Sequence, residues 1–282
     1  MELSGRVAVV TGAASGLGRS LALQLAQAGC SLALVDIQAQ ALREVAADCR
    51  GHGAQVSTHA VDVADRAALS ALPATVVGFH GQVHILINNA GVTVADTVLE
   101  QSMEDWDWIM GINFWGVVVG TRAFLPHLLA ADEAHIVNVS SIFGLAGVPM
   151  QAAYCATKFA VRGFTESLGA ELASTRVRVS SVHPGGINTN IVGASRMRDE
   201  TARGRVSILF DRLALSPDVA AAIIIRGIRR RQSRILIGWE AYLLTTARRV
   251  APTLSMSLLG AIGRAFGVGK NLQVYTEAAE RS

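Results

Sequence analysis

Tyr154 and Lys158 stand four residues apart in Tyr154-Cys155-Ala156-Thr157-Lys158, a spacing that puts both side chains on one face of a helix. A phenol beside an ammonium is a proton-transfer pair. A free phenol has a pKa of about 10, so serving as a base near neutrality requires a drop of roughly 3 pH units, about 4 kcal/mol. One ammonium about 4 Å away supplies roughly that much at an effective dielectric near 20. Lys158 is one of only two lysines, the other being Lys270, among 25 Lys and Arg residues. Arginine would keep the charge but could not relay a proton, a physical reason to find lysine here.

A second constellation, Thr11-Gly12-Ala13-Ala14-Ser15-Gly16-Leu17-Gly18, closes an apolar run and opens a helix. Glycines at such a turn let the backbone approach a pyrophosphate, and the helix N-terminus offers free N–H groups and partial positive charge. Gly12, Ser15, Gly16, Leu17 and Gly18 are the candidate cradle residues. Their spacing is Gly-x3-Gly-x-Gly rather than the commoner Gly-x-Gly-x-x-Gly. Asp36 ends the next apolar run, near the ~20-residue distance expected of a carboxylate that hydrogen-bonds ribose hydroxyls. Its charge would repel a 2′-phosphate, and no Arg or Lys occupies Ala13, Ala14, Ser15 or Ile37 to counter it. The expected cofactor is therefore NAD(H) rather than NADP(H). Paired with it, the Tyr–Lys face predicts proton transfer coupled to hydride transfer on a secondary alcohol or ketone. No metal is expected, since His80 and His84 bridge a loop and a strand and the other histidines are scattered.

The elements that position these groups alternate. Arg6–Thr11, Ser31–Asp36, Gln55–Val61, His84–Asn88, His135–Ser140, Val177–His183 and Arg234–Ile237 read as strands, several of them apolar on both faces. Leu17–Ala28, Ala39–Arg50, Asp65–Val77, Met103–Leu129, Ala152–Thr175 and Asp218–Arg229 read as helices. That is the α/β pattern of a doubly wound, mostly parallel seven-stranded sheet in one domain. Residues 1–238 form the catalytic domain in this reading, with a lid at about 190–215 and a C-terminal helical extension over 239–282.

Composition narrows the class. The 282 residues are 51% hydrophobic and 17% charged, a globular mixture rather than a disordered one. Three cysteines at unrelated spacings argue against a disulfide framework or zinc motif. The N-terminus lacks a signal-peptide pattern, and despite a mean hydropathy of +0.37 no spanning helix is expected, the late apolar stretch Val250–Gly263 being only 14 residues long and containing Pro252; a cytoplasmic protein is expected. Charge is uneven: residues 1–190 carry net −5 and residues 191–282 net +8. The basic third lacks the aromatic interleaving and motif spacing of a nucleic-acid binder, and reads as a solvated surface or subunit contact.

The motifs taken together resemble the short-chain dehydrogenase/reductase family, from Gly5 to about Thr189 and more weakly to Ile237. Besides Thr11–Gly18 and Tyr154-x3-Lys158, the resemblance rests on Asp62-Val63, Asn88-Asn89-Ala90-Gly91, Asn113 in Gly111-Ile112-Asn113-Phe114-Trp115-Gly116, Ser140-Ser141, and Pro184-Gly185-Gly186-Ile187-Asn188-Thr189. It implies a Rossmann-type fold, with Tyr154 as general acid/base and Lys158 lowering its pKa and holding the nicotinamide ribose. Ser141 would hydrogen-bond the substrate oxygen, in preference to Ser140. Asn113 would hold a water linking Lys158 to solvent. Asp62 and Val63 would meet the adenine, Asn89 and Gly91 the adenosine side, and Ile187 and Thr189 the carboxamide. A homotetramer or homodimer built on the helices of Asn113 and Tyr154 is also implied.

Candidate substrate-pocket positions are apolar: Ile142, Phe143, Leu145, Val148, Met150 and, on the lid, Ile191, Val192, Ile208, Leu209 and Phe210. They suit a hydrophobic alcohol or ketone of steroid, terpenoid, long-chain or aromatic type. The alternatives are a 3-oxoacyl-[acyl-carrier-protein] reductase-like enzyme, which Asp36 speaks against, and a non-catalytic dinucleotide-binding sensor. The tail from Trp239 to Gly267 mixes apolar residues with Arg248, Arg249 and Arg264, a pattern compatible with peripheral membrane contact or with packing on the sheet or between subunits.

Overall fold

Strands whose odd and even residues are both apolar must be covered on both faces, and this sheet is. In the computed structural model, which describes residues 1–188, 196 and 214–251, seven strands run in parallel in the order β3-β2-β1-β4-β5-β6-β7. They are β1 (Val7–Thr11), β2 (Ser31–Asp36), β3 (Val56–Ala60), β4 (Ile85–Asn88), β5 (Ala134–Val139), β6 (Val177–Pro184) and β7 (Arg234–Ile237). The helices are α1 (Gly16–Gln27), α2 (Ala39–Gly51), α3 (Arg66–His80), α4 (Met103–Met110), α5 (Gly116–Ala130), α6 (Ala152–Glu171), α7 (Pro217–Arg229) and α8 (Trp239–Val250).

The period-2 alternation sorts the strands onto two cores. Ala8, Val10, Leu32, Leu34, Ile85 and Ile87 pack with Leu21 and Leu25 of α1, Val45 of α2 and Ile224 and Ile228 of α7. Val9, Ala33, Val35 and Leu86 face the other way, onto Leu69, Leu72 and Val76 of α3, Phe124 and Leu128 of α5 and Leu168 of α6. The sheet is wholly parallel, so every crossover is helical or looped, and β1 lies between β2 and β4. The strand order therefore reverses at β1/β4, and a crevice opens at the carboxyl ends of these strands.

Two boundaries differ from the expected ones for identifiable reasons. The helix expected over Met103–Leu129 is interrupted by a π-helical turn, Gly111–Trp115, between α4 and α5. The run Met103–Ala130, 28 residues, is apolar and long enough to cross a bilayer by composition alone, yet α5 buries Val117, Gly120, Thr121, Phe124 and Leu128. The helix expected to reach Thr175 ends at Glu171, where Leu172 caps it. Of the expected lid, only Arg196, Ala214 and Leu215 are among the described residues, and the tail beyond Ala251 lies outside them.

Candidate active site

The glycine turn sits at the β1 end of the crevice. Gly12 has φ +65° and Gly16 φ +51°, the left-handed region where side chains are strained. A Cβ on Gly18 would stand 1.9 Å from the Gly12 carbonyl oxygen, and one on Gly12 would stand 2.9 Å from Ala90 Cα. The turn is closed to side chains. Ser15 is the N-cap of α1 but makes no side-chain cap hydrogen bond, and Leu17 is buried beneath the turn. The first N–H groups of α1 thus lack a capping side chain, as an anion cradle requires; the residues present fit a dinucleotide pyrophosphate.

Asp36, 8% exposed at the end of β2, accepts from Ala14 N at 3.0 Å and Gln38 N at 2.9 Å. Its carboxylate braces the glycine turn, a role its position alone does not reveal, and still has lone pairs to offer. At the neighbouring strand, Thr11 Oγ1 accepts from the backbone of Asn89 and Ala90 at 2.9 and 3.1 Å. Asn89 Nδ2 donates to the carbonyls of Thr11 and Gly12. Asp62 is exposed and accepts from Ala64 N at 2.8 Å, while Val63 is buried against Gly116.

Across the crevice, the Tyr154–Lys158 face comes together with Ser141, Asn113 and Gly91. Ser141 follows β5, caps a short 3₁₀ turn (Ile142–Gly144) by accepting from Phe143 N at 3.1 Å, and also hydrogen-bonds the Tyr154 phenol. Ser140 turns inward instead, donating to the Lys158 carbonyl at 2.8 Å, which separates the two serines by geometry. Gly91 lets the cluster close: a Cβ there would lie 3.3 Å from Asn113 Oδ1 and 3.4 Å from Lys158 Nζ.

Burial and packing set the resting state of this cluster. Burial pushes the Tyr154 phenol up to about 12, against the hydrogen bond from Ser141. Burial also pulls the Lys158 ammonium down to about 8. Lys158 Nζ lies 5.6 Å from the Tyr154 ring centre and donates to the Val139 carbonyl at 3.0 Å. Desolvation therefore dominates in the protein alone, and the phenol rests protonated. Asn113, fully buried in the π-helical turn, accepts from Val92 N at 2.8 Å and donates to Val92 O at 2.9 Å and Thr157 Oγ1 at 3.2 Å. Its amide locks the loop after β4 to α6, leaving at most one lone pair for a water.

Ile187 pairs with Leu215 in an isolated parallel bridge; Thr189 lies outside the described residues, as do Ile191, Val192, Ile208, Leu209 and Phe210. Ile142, Phe143, Val148 and Met150 are half-buried near Tyr154, with the Phe143 and Tyr154 rings edge to face at 6.1 Å. Leu145 is buried and lines a different cavity, beside arginines. His80 and His84 serve separate partners, Ser57 and Val7.

Sequence reasoning missed the buried polar supports. His183, read as a plain strand residue, is fully buried in β6. Its Nδ1 lies 3.1 Å from the Ser141 carbonyl and its Nε2 2.9 Å from Ser181 Oγ. A carbonyl only accepts, so Nδ1 carries the proton and Nε2 receives one from Ser181. Burial lowers its pKa to about 4, keeping the ring neutral. Asn88 Nδ2 donates to Thr121 Oγ1 of α5 and to Asn138 Oδ1, and Asn138 Nδ2 donates to Thr165 Oγ1 of α6. This ladder ties both helices to the sheet. The available signal was polar residues inside otherwise apolar strands.

A nucleotide-binding switch point that faces a proton-transfer cluster is the layout of a dinucleotide-dependent oxidoreductase of the α/β class. The match extends along most of the chain: a short chain dehydrogenase model fits residues 6–200, and the protein belongs to the short-chain dehydrogenase/reductase family. It is 43% identical over 264 residues to SadH of Mycobacterium tuberculosis, covering 92% of this chain and 96% of that one. A solved short-chain dehydrogenase/reductase from Burkholderia phymatum, in complex with NAD, superposes with a TM-score of 0.84 at 32% identity, over 90% of this chain and 96% of that one. A metagenomic short-chain oxidoreductase in complex with NADP gives 0.70 at 30% identity, over 84% and 98%.

Proposed function

We propose that this protein is an NAD(H)-dependent oxidoreductase that interconverts a secondary alcohol and a ketone on a hydrophobic substrate. The observation that carries the reading is the convergence of the half-buried Tyr154 phenol with the buried Ser141 hydroxyl and Lys158 ammonium across the crevice from the glycine turn. The nicotinamide, when bound, supplies the hydride donor or acceptor. Gly12, Ser15, Gly16, Leu17 and Gly18 would hold its pyrophosphate, and Asp36 the adenosine ribose. Asn89 and Gly91 line the floor between the two halves. Support for NAD over NADP comes from the Asp36 carboxylate, which would face a 2′-phosphate with like charge.

In reduction, Ser141 Oγ hydrogen-bonds the substrate carbonyl oxygen and Tyr154 Oη delivers a proton to it as the carbon receives hydride. A phenol resting protonated, as this one does, is already in the donor form. In oxidation, Tyr154 must first lose its proton. Bringing a pKa of about 12 to neutrality takes about 7 kcal/mol at ~1.36 kcal/mol per pH unit. The Lys158 ammonium, 5.6 Å from the ring centre, would supply part of that by charge. The Phe143 ring against Tyr154 and the half-buried apolar side chains Ile142, Val148 and Met150 of the same loop support a hydrophobic substrate. The test is a screen following reduced-cofactor absorbance with NAD and NADP over steroids, long-chain secondary alcohols and aromatic diols. Turnover of at least one hydrophobic alcohol with an NAD preference is expected; a clear NADP preference, or activity confined to small polar alcohols, contradicts the reading.

A further inference from the structure

One helical turn beyond Lys158, α6 contributes Phe159, Arg162 and Glu166 to a cavity of about 410 Å3, closed by Leu145, by Arg234 at the start of β7 and by Arg248 and Arg249 of α8. Four guanidinium groups from three separate elements meet one carboxylate. Glu166 Oε1 serves both Arg162 Nε at 2.8 Å and Arg234 Nη2 at 3.3 Å. Among the described residues, Arg248 and Arg249 have no ion-pair partner. The lining therefore carries a surplus of three positive charges in a concavity, where low-dielectric walls focus the field. Like-charge crowding is felt inside it: burial first, then Arg162 and Arg249, lower the pKa of Arg234.

Such an arrangement costs free energy unless an anion completes it, and the planar fork of arginine matches phosphate oxygens in pairs. We propose that this cavity is a second ligand site, separate from the dinucleotide cradle, that binds a phosphate group through Arg162, Arg234, Arg248 and Arg249. Leu145 and Phe159 give it an apolar wall, so the phosphate is one attached to an apolar body. Two sources carry that chemistry: a soluble organic phosphate, or the headgroup of an anionic phospholipid. The second has a structural neighbour, since Trp239, Tyr242, Leu243 and Val250 form an outward stripe on α8, 60–79% exposed. The site also gives the basic C-terminal third a function beyond solvation. The inference is independent of the catalytic reading.

The experiment titrates the full-length protein with inorganic pyrophosphate at low ionic strength by calorimetry, in the presence of NAD so that the glycine turn does not compete. Saturable binding is expected, weakened at least tenfold in Arg248→Gln/Arg249→Gln, with NAD affinity unchanged. Glu166→Gln, which removes the one competing carboxylate, should tighten pyrophosphate binding several-fold and provides a second reading should the double variant fold poorly. Co-sedimentation with phosphatidic acid/phosphatidylcholine vesicles against phosphatidylcholine alone separates the sources. Wild-type sedimenting only with anionic vesicles, and the double variant with neither, assigns the lipid; pyrophosphate binding without vesicle binding assigns a soluble phosphate. No pyrophosphate binding, or equal binding by wild type and double variant, overturns the site.

Discussion

Replacing Lys158 with methionine should make the folded protein more stable while removing its activity. Lys158 is 3% exposed, and burial lowers its pKa from 10.5 to about 8. At ~1.36 kcal/mol per pH unit, keeping the ammonium charged in the folded state costs about 3 kcal/mol at pH 7. Methionine fills similar volume without charge but leaves the Val139 carbonyl without its donor, a loss of about 1 kcal/mol. The net gain is about 2 kcal/mol, or roughly 4–8 °C in Tm for a chain of this size. The sign with pH is fixed. Because the folded pKa is depressed, the unfolded chain binds more protons between about 8 and 10.5, so wild-type stability rises with pH across that window. Denaturant titrations at pH 7, 8, 9 and 10 on wild type and Lys158→Met measure both effects. A variant less stable than wild type at pH 7, or one that keeps the same rise between pH 8 and 10, would refute the reasoning.

Asp36→Ser should raise the NADP-to-NAD ratio of kcat/KM at least tenfold, and lower stability by about 1–3 kcal/mol because the Ala14 and Gln38 N–H groups lose their acceptor; unchanged cofactor preference would show that this carboxylate does not face the ribose. His183 acts through Ser141 as a positioning residue, so His183→Phe should lower kcat with little change in NAD affinity, whereas a purely structural role would leave kcat intact in the folded fraction. With its pKa lowered from 6.5 to about 4, His183 stabilises above pH 6.5 and loses that contribution as pH falls through 4; the variant's stability profile should be flatter over this range. Gly18→Ala, whose Cβ would meet the Gly12 carbonyl oxygen at 1.9 Å, should weaken dinucleotide binding more than tenfold by fluorescence titration, and normal binding would remove the cradle.

The strands were legible because parallel strands between two helical layers are largely apolar, β1, β2 and β4 most of all: β2 and β7 have the bounds read from sequence, and the others differ by a residue or so. Composition could not order them in the sheet, and the order comes from the structure. The π-helical turn was not legible because the apolar periodicity runs straight through Gly111–Trp115, and only the buried amide of Asn113 holds the turn open. The resting state of Tyr154 was not legible for a related reason: spacing shows that Lys158 shares its face, not that the ammonium turns to Val139. Leu145 was grouped with the substrate side, yet the 3₁₀ turn after Ser141 carries it round to the arginine cavity. That cavity joins residues from α6, β7 and α8, far apart in sequence, and no local pattern marks it.

The central claim is that the Tyr154 hydroxyl moves the proton that accompanies hydride transfer. Tyr154→Phe, assayed with an accepted alcohol and NAD, tests it most directly. The account predicts NAD binding within a fewfold of wild type and a kcat lower by about 10²–10⁴-fold, the span general acid–base catalysis typically contributes. Turnover close to wild type would contradict it.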